Sequence, residues 1–332
     1  MDNIGHYDEL ARVSGCCKLS YAFFRDLYRE LEKRIPSDWK IAFRAYHSYA
    51  PKIDTSGIDK KTLLFLWGDE GAELNYDVYQ SAAGCIYKHH TPENWVTDRF
   101  QGTPPEYFWE EGTSNLDELR SIPTGKREQV FMFVGNLHSG RIDFYRGLRG
   151  KSYGCPAKVA ASNLSNGQKK TIMNKITAHM LLWLIRKIGY VKDFSSLFQQ
   201  STIRFTDSFA DTAKGLCYAD YWRELCRTRI VLAPPGFRSA ETVRHIEAAR
   251  AGCVVISAPL PQHEFYKDCP FIICKDWRKI LPLMKEVAED EEELTRIGEA
   301  TRMWYEEHFS PRAWAIRIAA HINRLNSGGP TS

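Results

Sequence analysis

Residues Tyr218 to Ser257 read YADYWRELCRTRIVLAPPGFRSAETVRHIEAARAGCVVIS, and this stretch indicates the fold more clearly than any other part of the chain. Apolar residues at helical spacing predict a helix over Tyr218–Arg227. The continuous apolar runs Arg229–Ala233 and Cys253–Ile256 are typical of strands covered on both faces, as in a parallel sheet. With a second helix between these runs, the stretch is a predicted βαβ unit. Open α/β sheets bind ligands beyond the carboxyl ends of such strands.

Local signals mark the boundaries of this unit. The loop Pro234-Pro-Gly236 cannot continue the first strand, because proline lacks the amide hydrogen that a strand needs. Ser239 is a favourable N-cap, so we expect the second helix to begin there, with Glu241 in its positively polarised first turn. Gly252 is the expected stop.

The second helix carries a polar stripe. Glu241, Arg244 and Glu247 are spaced by three and should lie along one side, while Val243 and Ile246 face the sheet. Arg244 could contact a diphosphate together with the free amides at the helix start, and Glu247 could accept hydrogen bonds from ribose hydroxyls. The alternative is an exposed Glu-Arg-Glu ladder that contributes only a few tenths of a kcal/mol.

Residues 100–126 are rich in Gly and Pro. On both sides of this stretch, predicted strands and helices alternate as is typical of α/β domains. We interpret the stretch as a linker. The predicted organisation is an acceptor-side domain over 1–125, a donor-binding domain over 126–309, a last helix over 310–326 and a disordered tail over 327–332. Predicted strands on the N-terminal side are Ile41–Phe43, Lys61–Trp67 and Cys85–Tyr87, after an amphipathic helix over Cys17–Arg34.

A further buried strand, Gln129–Val134, opens the second domain and ends in Gly135 and Asn136, with Arg141 a few residues later. Such a restart after a linker is how a second nucleotide-binding domain would begin.

Composition excludes several classes of protein. The chain has 332 residues, of which 43% are hydrophobic and 26% charged, values of a globular protein large enough for two domains. Its net charge of +4 is too small to predict nucleic-acid binding. Nine scattered cysteines and a charged start without an apolar segment predict reduced thiols and a cytoplasmic protein, with at most peripheral membrane contact. Among the many aromatic residues, we expect four to cluster at an acceptor-side cleft: Trp67, Tyr87, Trp95 and Trp109.

The C-terminal half resembles the donor-binding half of exostosin-like glycosyltransferases of the GT-B architecture. The resemblance covers about residues 127–275 and rests on the Tyr221–Leu225 helix motif, the Pro-x-Gly loop, Arg244-x-x-Glu247 and the run Ala251-Gly-Cys-Val-Val-Ile256, with Phe133-Val-Gly-Asn136 as the opening strand. It implies two Rossmann-like domains that face a central cleft, with the last helix, capped by Ser310, crossing back to the N-terminal domain.

The resemblance also implies roles for individual residues. Arg244 would contact the pyrophosphate and Glu247 the ribose, while Gly135, Asn136 and Arg141 would face the donor phosphates. We place the loop residues Gly236, Arg238 and Ser239, together with Glu241, in the same donor site.

Transfer of a sugar needs a base that deprotonates the acceptor hydroxyl. Asp69 and Glu70 follow a buried strand and are the favoured candidates; His89 and His90, after the next strand, are the alternatives. Each of these residues could instead make only local hydrogen bonds in a turn. His138 is interpreted as a donor-loop residue.

The chain contains no Asp-x-Asp pair, which a metal-dependent sugar-nucleotide transferase would use to hold a divalent ion. We therefore expect no metal and no cofactor, with nucleotide-sugar as the donor substrate.

The predicted function is an inverting hexosyl- or pentosyltransferase of polysaccharide biosynthesis, acting on a hydroxyl of a glycan or glycolipid. The alternative is a non-catalytic nucleotide- or glycan-binding module with a transferase-like fold. A dehydrogenase is disfavoured, because no Gly-x-Gly-x-x-Gly follows a predicted strand.

Overall fold

The computed structural model describes residues 21–45, 56–67, 83–89, 106–108, 127–150, 183, 191–206, 218–236, 240–261, 266 and 268–327. Within these ranges the chain forms two parallel sheets.

The first sheet has four described strands in the order β1-β2-β3-β4: β1 (Lys40–Ala45), β2 (Thr62–Trp67), β3 (Cys85–His89) and β4 (Glu106–Phe108). Helix α1 (Tyr21–Glu32) precedes it. Successive residues of β2 such as Leu64 and Phe65 are at most 2% exposed, so this strand is covered on both faces as its continuous apolar run predicts. Strand β4 lies inside the stretch that we interpreted as linker, and that interpretation is wrong for these residues: they pair with β3 in spite of their weak apolar pattern. The predicted domain boundary near residue 125 lies outside the described residues.

The second sheet has five described strands in the order β6-β5-β7-β8-β9: β5 (Gln129–Asn136), β6 (Thr202–Thr206), β7 (Thr228–Ala233), β8 (Val254–Ser257) and β9 (Ile272–Ile273). After β5 the chain adds β6 on one side and then β7 on the other. The order reverses between β5 and β7, and α/β sheets of this order bind ligands at that switch point, beyond the carboxyl ends of the strands.

Helices connect and flank these strands. They are α2 (Ile142–Leu148), α3 (Tyr218–Cys226), α4 (Val243–Arg250), α5 (Ile280–Ala288), α6 (Glu291–His308) and α7 (Pro311–Asn326). The described cysteines are free thiols.

The last helix, α7, begins after the predicted cap: the Ser310 side chain accepts a hydrogen bond from the Ala313 amide at 3.2 Å. It packs against α1, and the Tyr87 hydroxyl of β3 lies 3.0 Å from Nδ1 of His321. The predicted fold class, α/β with two parallel sheets and a last helix that crosses back to the N-terminal sheet, is confirmed. Tyr87 is 2% exposed and packs on Phe65, so its predicted place at an acceptor-side cleft is wrong. Trp95, Trp109 and the side chain of Trp67, predicted for the same cleft, lie outside the described residues.

Candidate functional site: a buried arginine pair at the switch point

The carboxyl ends of β5 and β7 meet at one edge of the second sheet. Strand β5 ends in Gly135 and Asn136, and the loop 234–236 follows β7. A short 3-10 turn, Ser139–Arg141, leads from β5 into α2; the side chain of His138 caps it by accepting a hydrogen bond from the Gly140 amide at 3.2 Å. Two of the residues predicted from sequence to contact a donor, Arg141 and Arg244, converge here.

Arg141 is buried and held by backbone carbonyls. Its Nη1 donates to Asn136 O at 3.0 Å and its Nε to Pro235 O at 2.9 Å, so it ties the end of β5 to the loop after β7. Burial, with Arg244 close by, lowers the pKa of Arg141 to about 9. The main cause is that burial removes water from the charged guanidinium, and repulsion by the positive charge of Arg244 adds to it.

Arg244 reaches the same point from α4. Its Nη2 donates to Val134 O at 2.5 Å, and its buried Nε has no hydrogen-bond partner among the described residues. The guanidinium carbon atoms of Arg244 and Arg141 lie 4.9 and 5.5 Å from the centre of the Phe133 ring. Within the described ranges, neither arginine forms an ion pair with a carboxylate. Two buried positive charges without a counter-charge are a strong attractor for an anion.

Gly135 permits the two guanidinium groups to approach the end of β5. A Cβ atom at this position would lie 2.9 Å from Nη1 of Arg141 and 3.0 Å from Nη2 of Arg244. Any side chain here would therefore displace at least one of them.

The start of α4 differs from its prediction. The helix begins at Val243 with Thr242 as N-cap, so Ser239 is not the cap and Glu241 precedes the helix. The physical reason is a capping box in which the side chain of His245, three positions after Thr242, accepts from the Thr242 amide. Val243 is 39% exposed and does not face the sheet, whereas Ile246 does so as predicted and is fully buried.

The polar stripe is buried, so the alternative of an exposed ladder is wrong. Glu241 and Glu247 are 4% and 3% exposed. The Tyr221 hydroxyl donates to Oε2 of Glu247 at 3.0 Å, and the Tyr266 hydroxyl donates to Oε1 of Glu241 at 2.8 Å. Burial, with the charge of Glu247 nearby, raises the pKa of Tyr221 well above its ordinary value.

Sequence reasoning did not foresee several of these contacts. It missed the two tyrosine partners and the ring of Phe133 under the arginines. It also missed Thr206, whose hydroxyl donates to the side-chain oxygen of Asn136. These partners lie 26, 25 and 70 residues from the groups they bind, and no short-range pattern connects them. A polar residue at the end of a neighbouring strand, as Thr206 is, was the one signal available.

Other predicted site residues cannot be placed in this arrangement. Asp69, Glu70, Arg238 and Ser239 lie outside the described residues, and His89 is the last residue of β3 but its side chain is not described. Gly236 follows β7, with its carbonyl oxygen 3.2 Å from where a Cβ of Gly140 would lie. Within the described ranges no group of three metal-binding side chains occurs, and no helix is long and apolar enough to cross a membrane.

No model of a known protein family and no curated protein matches the chain. Among solved structures it is similar to sucrose-phosphate synthase from Thermosynechococcus elongatus, with 11% identity, a TM-score of 0.41 and coverage of 81% of this chain and 68% of that one. It is also similar to MurG of Acinetobacter baumannii, with 13% identity, a TM-score of 0.37 and coverage of 92% and 78%. The glycosyltransferase SnogD from Streptomyces nogalater matches with 14% identity, a TM-score of 0.36 and coverage of 97% and 80%.

Proposed function

We propose that this protein is a metal-independent glycosyltransferase that moves a sugar from a nucleotide-sugar donor to a hydroxyl of a glycan or glycolipid. The observation that carries the proposal is the pair of buried guanidinium groups of Arg141 and Arg244 at the switch point of a parallel sheet, neither of which forms an ion pair with a carboxylate among the described residues. A nucleoside diphosphate complements this pair, because its phosphates carry negative charge and oxygen atoms that accept hydrogen bonds from guanidinium groups.

In this proposal the donor diphosphate binds beside Gly135 and accepts a hydrogen bond from Nε of Arg244, which has no partner among the described residues. The carboxylate of Glu247, oriented by the Tyr221 hydroxyl, accepts hydrogen bonds from the ribose. The exostosin-like resemblance assigns the same roles to Arg244 and Glu247. The two arginines stabilise the diphosphate as it leaves, so no divalent ion is required.

The reaction proposed is a single displacement. A base, for which Asp69, Glu70 and His89 are the candidates, removes the proton of the acceptor hydroxyl. The acceptor oxygen then forms a bond to the anomeric carbon while the bond from that carbon to the diphosphate oxygen breaks. The departing diphosphate keeps the electron pair, and its charge is stabilised by the arginine pair.

A thermal-unfolding screen in EDTA tests donor binding. One of UDP, GDP, ADP or CMP at a hundred times its Kd should raise the Tm by about 5 °C, because such a ligand stabilises the folded state by about 2.7 kcal/mol. Arg244→Ala should abolish the shift. Arg324→Ala, which removes an exposed arginine of α7, is the matched control and should keep it. Absence of a shift with all four nucleotides would contradict the proposal.

Turnover separates this proposal from a non-catalytic nucleotide- or glycan-binding module. A transferase should hydrolyse its sugar nucleotide slowly or transfer the sugar, and Asp69→Asn or Glu70→Gln should stop turnover while nucleotide binding is retained. Binding without turnover in the wild-type protein, with a range of sugar nucleotides and glycan acceptors, would favour the binding module.

A further inference from the structure

His245 lies at the start of α4 and has no part in the proposed reaction. Its ring is 2% exposed and bridges two elements. Nδ1 lies 3.1 Å from the Thr242 amide nitrogen at the helix N-cap, and Nε2 lies 2.8 Å from Oγ of Ser257, the last residue of β8.

The hydrogen bonds of Ser257 determine which ring nitrogen carries the hydrogen. Ser257 Oγ donates its single hydrogen to Ala258 O at 2.7 Å, so it must accept from Nε2–H of His245. Nδ1 is then free to accept from the Thr242 amide, a group that the helix itself leaves unsatisfied. The opposite tautomer would exchange the amide bond for one from Nδ1 to Thr242 O at 3.0 Å. Ser257 would then have to give up Ala258 O in order to donate to Nε2, so this tautomer forms one bond fewer.

The surroundings keep the ring neutral. Burial, helped by the nearby charges of Arg244 and Arg141, lowers the pKa of His245 to about 4, although the Thr242 carbonyl and Glu241 act in the opposite direction. The ring therefore remains one donor and one acceptor over the whole physiological pH range.

We propose that His245, with its ring hydrogen on Nε2, is a positioning residue that holds the first turn of α4 against the end of β8 and so directs the Arg244 guanidinium. Arg244 is the adjacent residue, and its side chain crosses to Val134 O, so a shift of this turn moves the guanidinium directly. The Val134 carbonyl positions Arg244, and no carboxylate does so in the described part of the chain; its charge is thus oriented in advance and left available to an anion. The role in anion binding rests on the proposed function.

A double-mutant cycle with inorganic pyrophosphate as the probe tests this role. By calorimetry, His245→Leu should raise the Kd about tenfold when Arg244 is present and less than twofold in the Arg244→Ala background. His245→Gln should restore most of the affinity, because glutamine at this helix position can also accept from the cap amide. Equal losses in both backgrounds would show a merely structural role and overturn the proposal. If His245→Leu does not fold, Ser257→Ala replaces it in the same cycle with the same expected pattern.

A second measurement keeps this proposal separate from the proposed function. If the wild-type protein binds neither pyrophosphate nor any nucleotide of the screen, the donor site is refuted, and nitrogen-15 NMR then decides the role of His245. We expect the Nε2–H tautomer at pH 7, and a change in the Arg244 Nε–H resonance in His245→Leu that is smaller in His245→Gln. An Nδ1–H tautomer, or an Arg244 resonance that does not change, would overturn the proposal.

Discussion

Gly135→Ala is the smallest perturbation that tests the geometry of the arginine pair. The new methyl carbon would lie 2.9 Å from Nη1 of Arg141, 3.0 Å from Nη2 of Arg244 and 3.2 Å from Cζ of Phe133. Both guanidinium groups are held by carbonyls, so at least one has to move away from its acceptor.

The magnitude follows from two opposing effects. Loss of one hydrogen bond from a charged group costs about 1.5–3 kcal/mol. Gly135 is not among the glycines of positive φ, so alanine can adopt its backbone conformation. Alanine then stabilises the protein by about 0.4–1 kcal/mol, because it lowers the conformational entropy of the unfolded chain. We therefore expect the free energy of unfolding to fall by about 1–2 kcal/mol in urea denaturation. Calorimetry should show nucleoside diphosphate binding weakened by about tenfold or more, because one guanidinium no longer faces the ligand.

Removal of Arg141 provides the control. In the Arg141→Ala background the methyl group of Gly135→Ala loses its closest contact, the one of 2.9 Å to Nη1 of Arg141, so the substitution should destabilise the protein less than in the wild type. The reasoning would be refuted if Gly135→Ala cost the same in both backgrounds and left nucleotide affinity unchanged.

Two further predictions concern stability. Burial lowers the pKa of His138 and His245 from 6.5 to about 4, so between these pH values the unfolded chain binds protons that the folded chain does not. The stability from keeping these rings neutral should be fully present above pH 6.5 and should fall by about 1.4 kcal/mol per pH unit for each histidine as the pH decreases toward 4. When the free energy of unfolding is measured by urea denaturation at several pH values, His245→Gln should show a weaker dependence on pH than the wild type. An unchanged dependence on pH would contradict this assignment. Tyr87→Phe removes the hydrogen bond to His321 and should lower the free energy of unfolding by about 1 kcal/mol, an effect that should disappear in a His321→Leu background. Additive losses would show that this contact does not hold α7.

Much of the fold could be predicted because its strands are covered on both faces. The runs at Lys61–Trp67, Gln129–Val134 and Arg229–Ala233 are continuously apolar, and each became a central strand within one or two residues of its expected bounds. Strands β4 and β9 were not predicted, because two or three residues carry too little periodicity to be recognised.

The start of α4 shows why boundaries are harder. Ser239, Glu241 and Thr242 all lie within the four residues before this helix, and each is compatible with a first turn. The choice of Thr242 depends on His245, and His245 is in turn held by Ser257 on a different strand. Helix propensities of neighbouring residues cannot predict the contact between His245 and Ser257.

The sequence alone determined the residue types of the candidate site and their place on the chain. Arg141 could be selected because it lies a few residues beyond a predicted strand, and Arg244 because it lies in the polar stripe of the helix that follows another predicted strand. Strand ends of one parallel sheet meet at one edge. Only the tertiary structure decided that the two guanidinium groups share one phenyl ring, both lie against Gly135 and find no carboxylate in the described part of the chain. The physical reason is that charge compensation and burial depend on distances between residues more than a hundred positions apart, and these distances exist only once β5 and β7 are paired.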